Sequence, residues 1–359
     1  MTAADLQGDP TLALPFAHGG PILHGRLRAC DDDFQVEEVL GYGPSGSGEH
    51  VFLTLRKRGL NTHDVARKLA RHAGVAQVAV GYAGLKDRNA VTTQSFTVQM
   101  PGQDTPDWRA VADDSLEIVE VARHHRKIRR GGLRGNRFVI RITDAAGDRD
   151  AVEQRLHLIA TQGVPNYFGS QRFGRNGSNL ARAEALFSGS GRRLGREQRG
   201  LILSAARSQL FNQVLAARVA GGNWGAGLDG DVMSLAGSGR QFHYDNGDAS
   251  LPERIQQLDV HPTGPLCGRP SRSLSTAADC ELIEREALAP WQGWIDGLTR
   301  FGLDADRRAL RLAVDALDWS WQDRALTLSF ELTAGAYATS VLRELVAPGE
   351  EPSEPAELA

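Results

Sequence analysis

The segment GLKDRNAVTTQ, residues 84–94, places the carboxylate of Asp87 directly between two cations, Lys86 and Arg88. The runs on either side of it, residues 78–82 and 95–98, are rich in β-branched and aromatic side chains and are predicted to be strands. Positive charge nearby keeps a carboxylate ionised at neutral pH, and an ionised carboxylate acts as a nucleophile or base. Asp87 is therefore the first candidate catalytic residue. The structural alternative is a turn in which the Asp side chain bonds its own backbone.

The composition bounds the class of protein. The chain has 359 residues, of which 41% are hydrophobic and 24% charged, which is typical of a globular protein with two domains or one large insertion. Three scattered cysteines, Cys30, Cys267 and Cys280, fit a reducing cytoplasm better than a disulfide framework. The sequence has no apolar run of membrane-spanning length and no evident signal peptide, so a cytoplasmic protein without a membrane partner is expected.

A basic segment follows in the chain at residues 123–137. The formal net charge of −3 does not favour nucleic acid binding, so a polyanion must be bound by a local patch of this kind. Blocks of like charge often mark interaction surfaces, and the glycines between them let phosphates approach the backbone. A solvated loop is the alternative. The candidate contacts to an RNA backbone in this segment are Arg123, Arg126, Lys127, Arg129, Arg130 and Arg134.

Residues 166–179, NYFGSQRFGRNGSN, mix aromatic, arginine, glycine and amide side chains. Such a mixture suits stacking on bases and bonding to an RNA backbone, with Arg172 and Arg175 as further candidate contacts. The alternative is a long turn whose aromatic residues anchor it in the core, because aromatic side chains are buried more often than they bind ligands.

Hydrophobic periodicity predicts strands near the two ends of the chain and helices in its middle. The predicted strands, besides the two around Asp87, lie at 31–40, 51–55, 116–122, 137–142 and 326–332. One predicted helix begins at 61–64, where the residues offer N-cap chemistry. Further helices are predicted at 150–161, 201–219, 277–287, 304–312 and 338–346. The stretch 221–239 is glycine-rich and is predicted to be irregular. This distribution favours an α+β protein whose sheet-based domain is interrupted by a more helical insertion.

Motifs for cofactors are not convincing. The sequence has no GxxxxGK[ST] loop, and the GxGxxG match at residues 225–230 lacks the preceding strand that a dinucleotide site requires. The cysteines do not have zinc-site spacing. Neither a metal nor another cofactor is expected.

Five segments together resemble the TruD family of pseudouridine synthases over about residues 27–346: DFQVEE at 33–38, GLKD at 84–87, RGNRF at 134–138, VPNYFGSQRFG at 164–174 and AGAYATS at 334–340. The resemblance implies an enzyme that isomerises uridine to pseudouridine in tRNA, at uridine 13 in the D arm, without metal or cofactor. It implies a catalytic domain of mixed and antiparallel sheets, formed by 1–162 and 313–348 and interrupted by an inserted α+β TRUD domain at 163–312. The acidic tail, 349–359, is predicted to be disordered.

The resemblance also assigns roles to single residues. Asp87 would be the nucleophile, Phe34 and Tyr337 aromatic residues of the base pocket, and Asn136 a polar contact to the flipped-out base. The position of Tyr337 is often Phe in the family. The cation that pairs with Asp87 stays open, with three candidates: Lys86, Arg343 and Arg28, the last standing where the family is expected to have Lys.

Two other classes of protein compete with this interpretation. A non-catalytic RNA-binding protein, such as a tRNA-folding chaperone, would keep the pocket without the chemistry, although the intact GLKD segment argues against loss of catalysis. A glycoside hydrolase needs a second carboxylate near Asp87 as its acid, and Glu37 and Glu38 are the conceivable partners. For the enzyme itself we expect a monomer with no obligate protein partner.

Overall fold

The computed structural model describes residues 8–102, 105–191 and 194–347, so the predicted acidic tail at 349–359 lies outside the described residues. The strands are β1 (His24–Leu27), β2 (Phe34–Val39), β3 (His50–Arg58), β4 (Val80–Tyr82), β5 (Val91–Gln99), β6 (Leu116–His124), β7 (Gly135–Ala146), β8 (Val164–Pro165), β9 (Val232–Leu235), β10 (Gln241–His243), β11 (Val260–Leu266), β12 (Asp306–Ala309), β13 (Arg311–Leu312), β14 (Asp315–Gln322) and β15 (Ala325–Thr333). The helices are α1 (Thr62–His72), α2 (Arg149–Gln162), α3 (Ser178–Phe187), α4 (Arg196–Ala220), α5 (Leu251–Gln256), α6 (Ala278–Leu288), α7 (Gln292–Arg300) and α8 (Ala338–Leu342). None of the helices in these ranges combines the length and apolar character needed to span a membrane.

The chain divides into two compact units, each assembled from separate segments. The sheet unit comprises Leu23–Asp148, Asp315–Gly335 and Val346–Ala359, and the helical unit comprises Met1–Ile22, Arg149–Val314 and Ala336–Leu345. The predicted catalytic parts, 1–162 and 313–348, do not coincide with the sheet unit. The helical unit contains the first segment, Met1–Ile22, and also the helices α2 and α8. Which residues form the functional domains stays a prediction.

The sheet unit is built on one mixed sheet that has nine strands within the described ranges. Its order is β14-β15-β7-β2-β5-β3-β6, with β1 beside β7 and β4 beside β5. The β2–β5 pair is parallel and the other pairs are antiparallel. Inward-facing residues of β3 and β5, such as Leu53 and Phe96, form one core with Val65 and Leu69 of α1. Buried residues alternate with more exposed ones along β2 and β15, as the period-2 patterns of these two segments predict.

The helical unit packs around α4, whose buried face includes Leu210, Phe211 and Leu215. A second sheet with strand order β10-β9-β11-β12 lies in the same unit, together with the short β8–β13 pair. Both sheets are antiparallel. The unit is therefore α+β, in agreement with the predicted class of the insertion.

Three predictions about the helical unit need correction. The predicted helix at 304–312 is wrong, because β12 and β13 occupy these residues and Arg307 and Arg311 are buried. Pairing with β11, together with a Glu284 partner for Arg307, outweighs the weak helical spacing of the apolar residues. The irregular stretch 221–239 contains β9, and the last predicted helix ends at Leu342 instead of 346.

Buried histidines make stability fall in mild acid. His261 on β11 is 6% exposed and its Nδ1 accepts a hydrogen bond from Arg311 Nε at 3.2 Å. Burial, reinforced by the Arg311 charge, lowers the pKa of His261 to about 4. Burial also lowers the pKa values of His50 and His124 in the sheet unit.

The sign of the pH effect follows from linkage. Because the unfolded chain binds the His261 proton near pH 6.5 and the folded chain near 4, unfolding gains protons as the pH falls between these values. We expect the His261 contribution to the free energy of unfolding to fall by about 2 kcal/mol between pH 7 and 5. Urea unfolding of wild type and H261Q at both pH values measures it, and an equal pH dependence in the two proteins would refute it.

Candidate active site

The Asp87 carboxylate lies on the loop between β4 and β5, the two neighbouring antiparallel strands predicted from the flanking sequence. Its side chain is 47% exposed, and Asp87 Oδ2 lies 3.2 Å from an Arg28 guanidinium nitrogen. Arg28 has a left-handed backbone, with φ of +55°, directly after β1. Its guanidinium carbon also lies 4.0 Å from the centre of the Phe34 ring. Arg28 thus connects the candidate nucleophile with the candidate base-stacking ring.

Lys86 binds a different set of partners. Its ammonium lies 3.0 Å from Glu38 Oε1 and donates a hydrogen bond of 2.8 Å to Asn136 Oδ1. Glu38 and Asn136 are direct register partners on β2 and β7, so Lys86 closes a cross-strand triangle. The Glu38 carboxylate also accepts hydrogen bonds from Gln94 and from the Ser95 backbone. Lys86 therefore fastens the loop to the sheet, whereas Arg28 contacts the Asp87 carboxylate.

The loop backbone is held at three further points. Gln94 Nε2 donates to the Gly84 carbonyl at 2.7 Å, and the Lys86 N–H donates to Thr62 Oγ1 at 3.0 Å. Lys57 Nζ donates to the Asp87 carbonyl at 2.9 Å. Thr62 in turn donates to Gln94 Oε1, which joins two of these points into one network.

Sequence reasoning missed Lys57 and the roles of Thr62 and Gln94. A signal for Lys57 was present, because it continues the inward positions of Leu53 and Leu55 in an alternating strand, where an apolar residue is expected. The N-cap signal at 61–64 correctly predicts where α1 begins. However, Asn61 makes no side-chain capping bond, and the Thr62 hydroxyl accepts a hydrogen bond from the Lys86 N–H of the Asp87 loop.

Phe34 and Asn136 lie on the adjacent strands β2 and β7. Phe34 is 4% exposed and packs edge-on against Phe138, with ring centres 6.3 Å apart. Gly135 permits the close approach that places Asn136, because a Cβ atom at this position would lie 2.3 Å from the Leu332 carbonyl oxygen. The structure thus brings Asp87, Lys86, Arg28, Phe34 and Asn136 into one connected cluster of the sheet unit.

Tyr337 and Arg343 belong to the helical unit. The Tyr337 hydroxyl accepts a hydrogen bond of 2.7 Å from Arg172, which also donates to Ser204 Oγ at 3.2 Å. Arg343 donates to the backbone carbonyls of residues 14 and 15 and lies 3.3 Å from Glu344 Oε1. Burial lowers the pKa of Arg343, and Glu344 opposes that shift. The Arg343 guanidinium is therefore bound to partners within its own unit.

The basic segment runs from the end of β6 into the loop before β7. Arg126, Arg129, Arg130 and Arg134 are exposed. Arg130 also stacks on the Tyr82 ring at 3.8 Å, and Lys127 donates to the Val78 carbonyl. The segment is thus anchored to the strand that precedes the Asp87 loop, while several of its charges face solvent.

The aromatic residues of the 166–179 segment are buried. Tyr167, Phe168 and Phe173 are between 0% and 7% exposed and pack in the core of the helical unit. The anchored-turn interpretation is therefore correct for these three rings, whereas Arg175 is exposed. Arg172 is half-buried, with its guanidinium carbon 5.4 Å from the Phe168 ring centre.

Comparisons with known proteins identify the family of the chain. The family model for tRNA pseudouridine synthase D (TruD) matches residues 15–180 and 177–345. A tRNA pseudouridine synthase D of Methylococcus capsulatus is 49% identical over 334 residues, covering 93% of this chain and 94% of the relative. A tRNA pseudouridine synthase D of Xanthomonas campestris is 47% identical over 346 residues, covering 92% of this chain and 94% of the relative.

A solved structure of a TruD protein from Methanosarcina mazei shares the fold. It superposes with a TM-score of 0.74 at 19% identity, covering 96% of this chain and 98% of that one. This likeness confirms the predicted α+β pseudouridine-synthase fold. On the family match and the close relatives, the chain belongs to the tRNA pseudouridine synthase D (TruD) family.

Proposed function

We propose that this chain isomerises uridine to pseudouridine in tRNA, at uridine 13 of the D arm, with Asp87 as the nucleophile. The observation that carries the proposal is the contact of the Asp87 carboxylate with Arg28, which itself lies over the Phe34 ring. A carboxylate beside a fixed cation is suited to nucleophilic attack. An aromatic face beside it is suited to hold a base that has left the helix stack.

The reaction needs no net gain or loss of atoms. Asp87 attacks ribose C1′, the C1′–N1 bond breaks, and the uracil leaves with the bonding electron pair on N1. The uracil turns, C5 bonds to C1′ as the Asp87 ester bond breaks, and the C5 proton is lost while N1 takes up a proton. The covalent intermediate divides one difficult step into two easier ones.

The cluster assigns a task to each remaining residue. Arg28 neutralises the carboxylate before attack and again as it is released. Phe34 is 4% exposed and Arg28 covers its ring, so Phe34 stacks on the base only after Arg28 has moved aside. Asn136 offers its amide to the base edges, with its Oδ1 held by Lys86 at 2.8 Å. The base flips at a cost of a few kcal/mol, part of which stacking in the pocket offsets.

RNA binding is assigned to the basic segment and to Arg172 and Arg175. The exposed guanidinium groups of Arg126, Arg129 and Arg134 are suited to phosphates, which carry no sequence information directly. Recognition then rests on tRNA shape and on a few unstacked bases. Binding that weakens steeply with salt, measured by fluorescence anisotropy, would support this assignment.

Tritium release from tRNA labelled as [5-³H]uridine tests the proposed function. Loss of the C5 proton releases label only if the base is rejoined through C5. Release from the wild-type tRNA transcript, and none above background from a transcript with cytidine at position 13, is the expected result. Tight tRNA binding without release would instead favour the binding-only alternative. The glycosidase alternative loses support because neither proposed acid contacts Asp87: Glu38 is paired with Lys86, and Glu37 lies 3.9 Å from Arg137.

Tyr337→Phe is expected to have a small effect on catalysis. The hydroxyl is already engaged as an acceptor for Arg172, so its loss should lower the free energy of unfolding by about 1–2 kcal/mol. The single-turnover rate should stay within about threefold of wild type, since the ring is kept. Y337A, which removes the ring, should be much slower. Equal loss of rate in both variants would mean that the hydroxyl takes part in proton transfer.

We also propose a cytoplasmic monomer whose catalytic residues come from 1–162 and 313–348, with 163–312 as the inserted domain. The free thiols of Cys30, Cys267 and Cys280 agree with a reducing compartment. Light scattering after gel filtration, with and without tRNA, measures the oligomeric state.

A further inference from the structure

We propose that Lys57 is a positioning residue for the nucleophile: from inside the sheet unit it fixes the Asp87 backbone and places a positive charge beside it. The inference rests on the proposed function, since it assumes that Asp87 attacks the nucleoside. Lys57 is 1% exposed and therefore does not present itself to RNA. Any effect it has on catalysis must pass through the loop that it holds.

The contacts of Lys57 join two loops. Its ammonium donates to the Leu60 carbonyl at 2.7 Å and to the Asp87 carbonyl at 2.9 Å. Leu60 lies in the β3–α1 connection, and Asp87 in the β4–β5 connection. One buried side chain thereby ties the loop of the nucleophile to the strand β3, which lies between β5 and β6 in the sheet.

Two further hydrogen bonds join the segment 57–62 to the loop of the nucleophile. Arg88 Nε donates to the Gly59 carbonyl at 3.1 Å, and the Lys86 N–H donates to Thr62 Oγ1. Three consecutive residues of the nucleophile loop are therefore held by the segment 57–62. Lys57 differs from the other two anchors because it is buried and carries a charge.

A lysine at an inward position needs a reason beyond packing. The inward row of β3 otherwise contains Val51, Leu53 and Leu55, each at most 1% exposed. Burying a charge is unfavourable unless it is paired or hydrogen-bonded. Two carbonyl oxygens accept hydrogen bonds from the ammonium here, and a methionine of similar length would fill the space without the charge.

The charged groups that face Lys57 come from the nucleophile loop. The pKa of Lys57 is lowered to about 8. Burial is the largest cause, the charge of Asp87 opposes the shift, and the charge of Lys86 adds to it. Its register partners on β5 and β6 are the uncharged Thr92 and Leu116. The ammonium is thus charged at neutral pH and loses its charge as the pH rises through about 8. Above this pH, Asp87 loses one of the positive charges beside it.

The test compares K57M and K57R with wild type, using single-turnover rates of tritium release so that product release does not limit the rate. We expect K57M to bind tRNA as wild type does but to react about 10- to 100-fold more slowly, because a small misplacement of the nucleophile has this effect. K57R keeps the charge and the donors, so it should be faster than K57M. Its rate should also persist above pH 8, where the wild-type rate declines.

Controls separate the possible failures. K68M removes a lysine of α1 that pairs with Asp113 away from the site, and D87N tests the nucleophile itself. An active D87N would remove Asp87 as the nucleophile and with it the premise of this inference, whereas an inactive D87N beside a K57M as fast as K68M would refute only the role of Lys57. If K57M does not fold, K57R decides: a decline above pH 8 identical to that of wild type overturns the proposal. Titration of the RNA bases affects all variants alike.

Discussion

Asp87→Asn is expected to abolish release of tritium from [5-³H]uridine-labelled tRNA, with a fall in rate of at least about a thousandfold. The amide keeps the size of the side chain but is a poor nucleophile and carries no charge for Arg28 to neutralise. Since Asp87 is 47% exposed and its backbone anchors stay in place, the fold should be unaffected. Affinity for tRNA should change little, because the basic segment remains.

The matched control for this experiment is Asp144→Asn. Asp144 belongs to the same unit, is 61% exposed and forms only a long ion pair of 4.0 Å with Arg26. Its φ of +52° is a conformation that Asn tolerates well. D144N should therefore react at the wild-type rate. Comparable rates for D87N and wild type would leave the isomerase assignment standing and remove Asp87 as its nucleophile.

Lys86→Met is expected to be the most destabilising of the substitutions considered. It leaves the Glu38 carboxylate, whose side chain is 0% exposed, without its cation, and breaking one side of a buried pair costs about 3–5 kcal/mol. It also releases Asn136 from the hydrogen bond that orients its amide. Both the free energy of unfolding, from urea titration, and the single-turnover rate should fall.

A double-mutant cycle identifies the cause of this loss. E38Q removes the carboxylate charge, so the double variant E38Q/K86M should be more stable than K86M alone. Its rate should not recover, because Asn136 remains without its partner and the loop without one anchor. Additive losses of stability in the two single variants would show that Glu38 and Lys86 do not act as a buried ion pair.

The sequence predicts which residues of the candidate site lie together better than it predicts the contacts that hold them in place. Asp87, Phe34, Asn136 and Lys86 each stand in a short motif, and the strands around them alternate clearly enough to be predicted. Which cation contacts Asp87 depends on where β1 ends, because Arg28 follows this strand and lies 59 positions before Asp87 in the chain. Such a contact has no local signal.

Other errors have the same origin. The strands β12 and β13 were predicted to be helix, because their pairing with β11 and β8 is a long-range interaction that outweighs local spacing. Lys57 escaped notice because a lysine in a strand is ordinarily assigned to the solvent face. Its place in the inward row after Leu53 and Leu55 is the signal that this assignment overlooks.

The discontinuous units have a consequence for synthesis on the ribosome. Strand β15 lies between β14 and β7 in the sheet, and Arg155 of α2 donates to the Gly20 and Glu344 carbonyls. Both units thus include residues that follow position 314, so neither can complete its core before that part of the chain has been synthesised. Domains made of one contiguous segment can fold as they emerge, beginning with the N-terminal one. This enzyme must keep its early strands from pairing wrongly until β15 has been synthesised, and a premature stop before residue 325 would leave β7 exposed as a sheet edge.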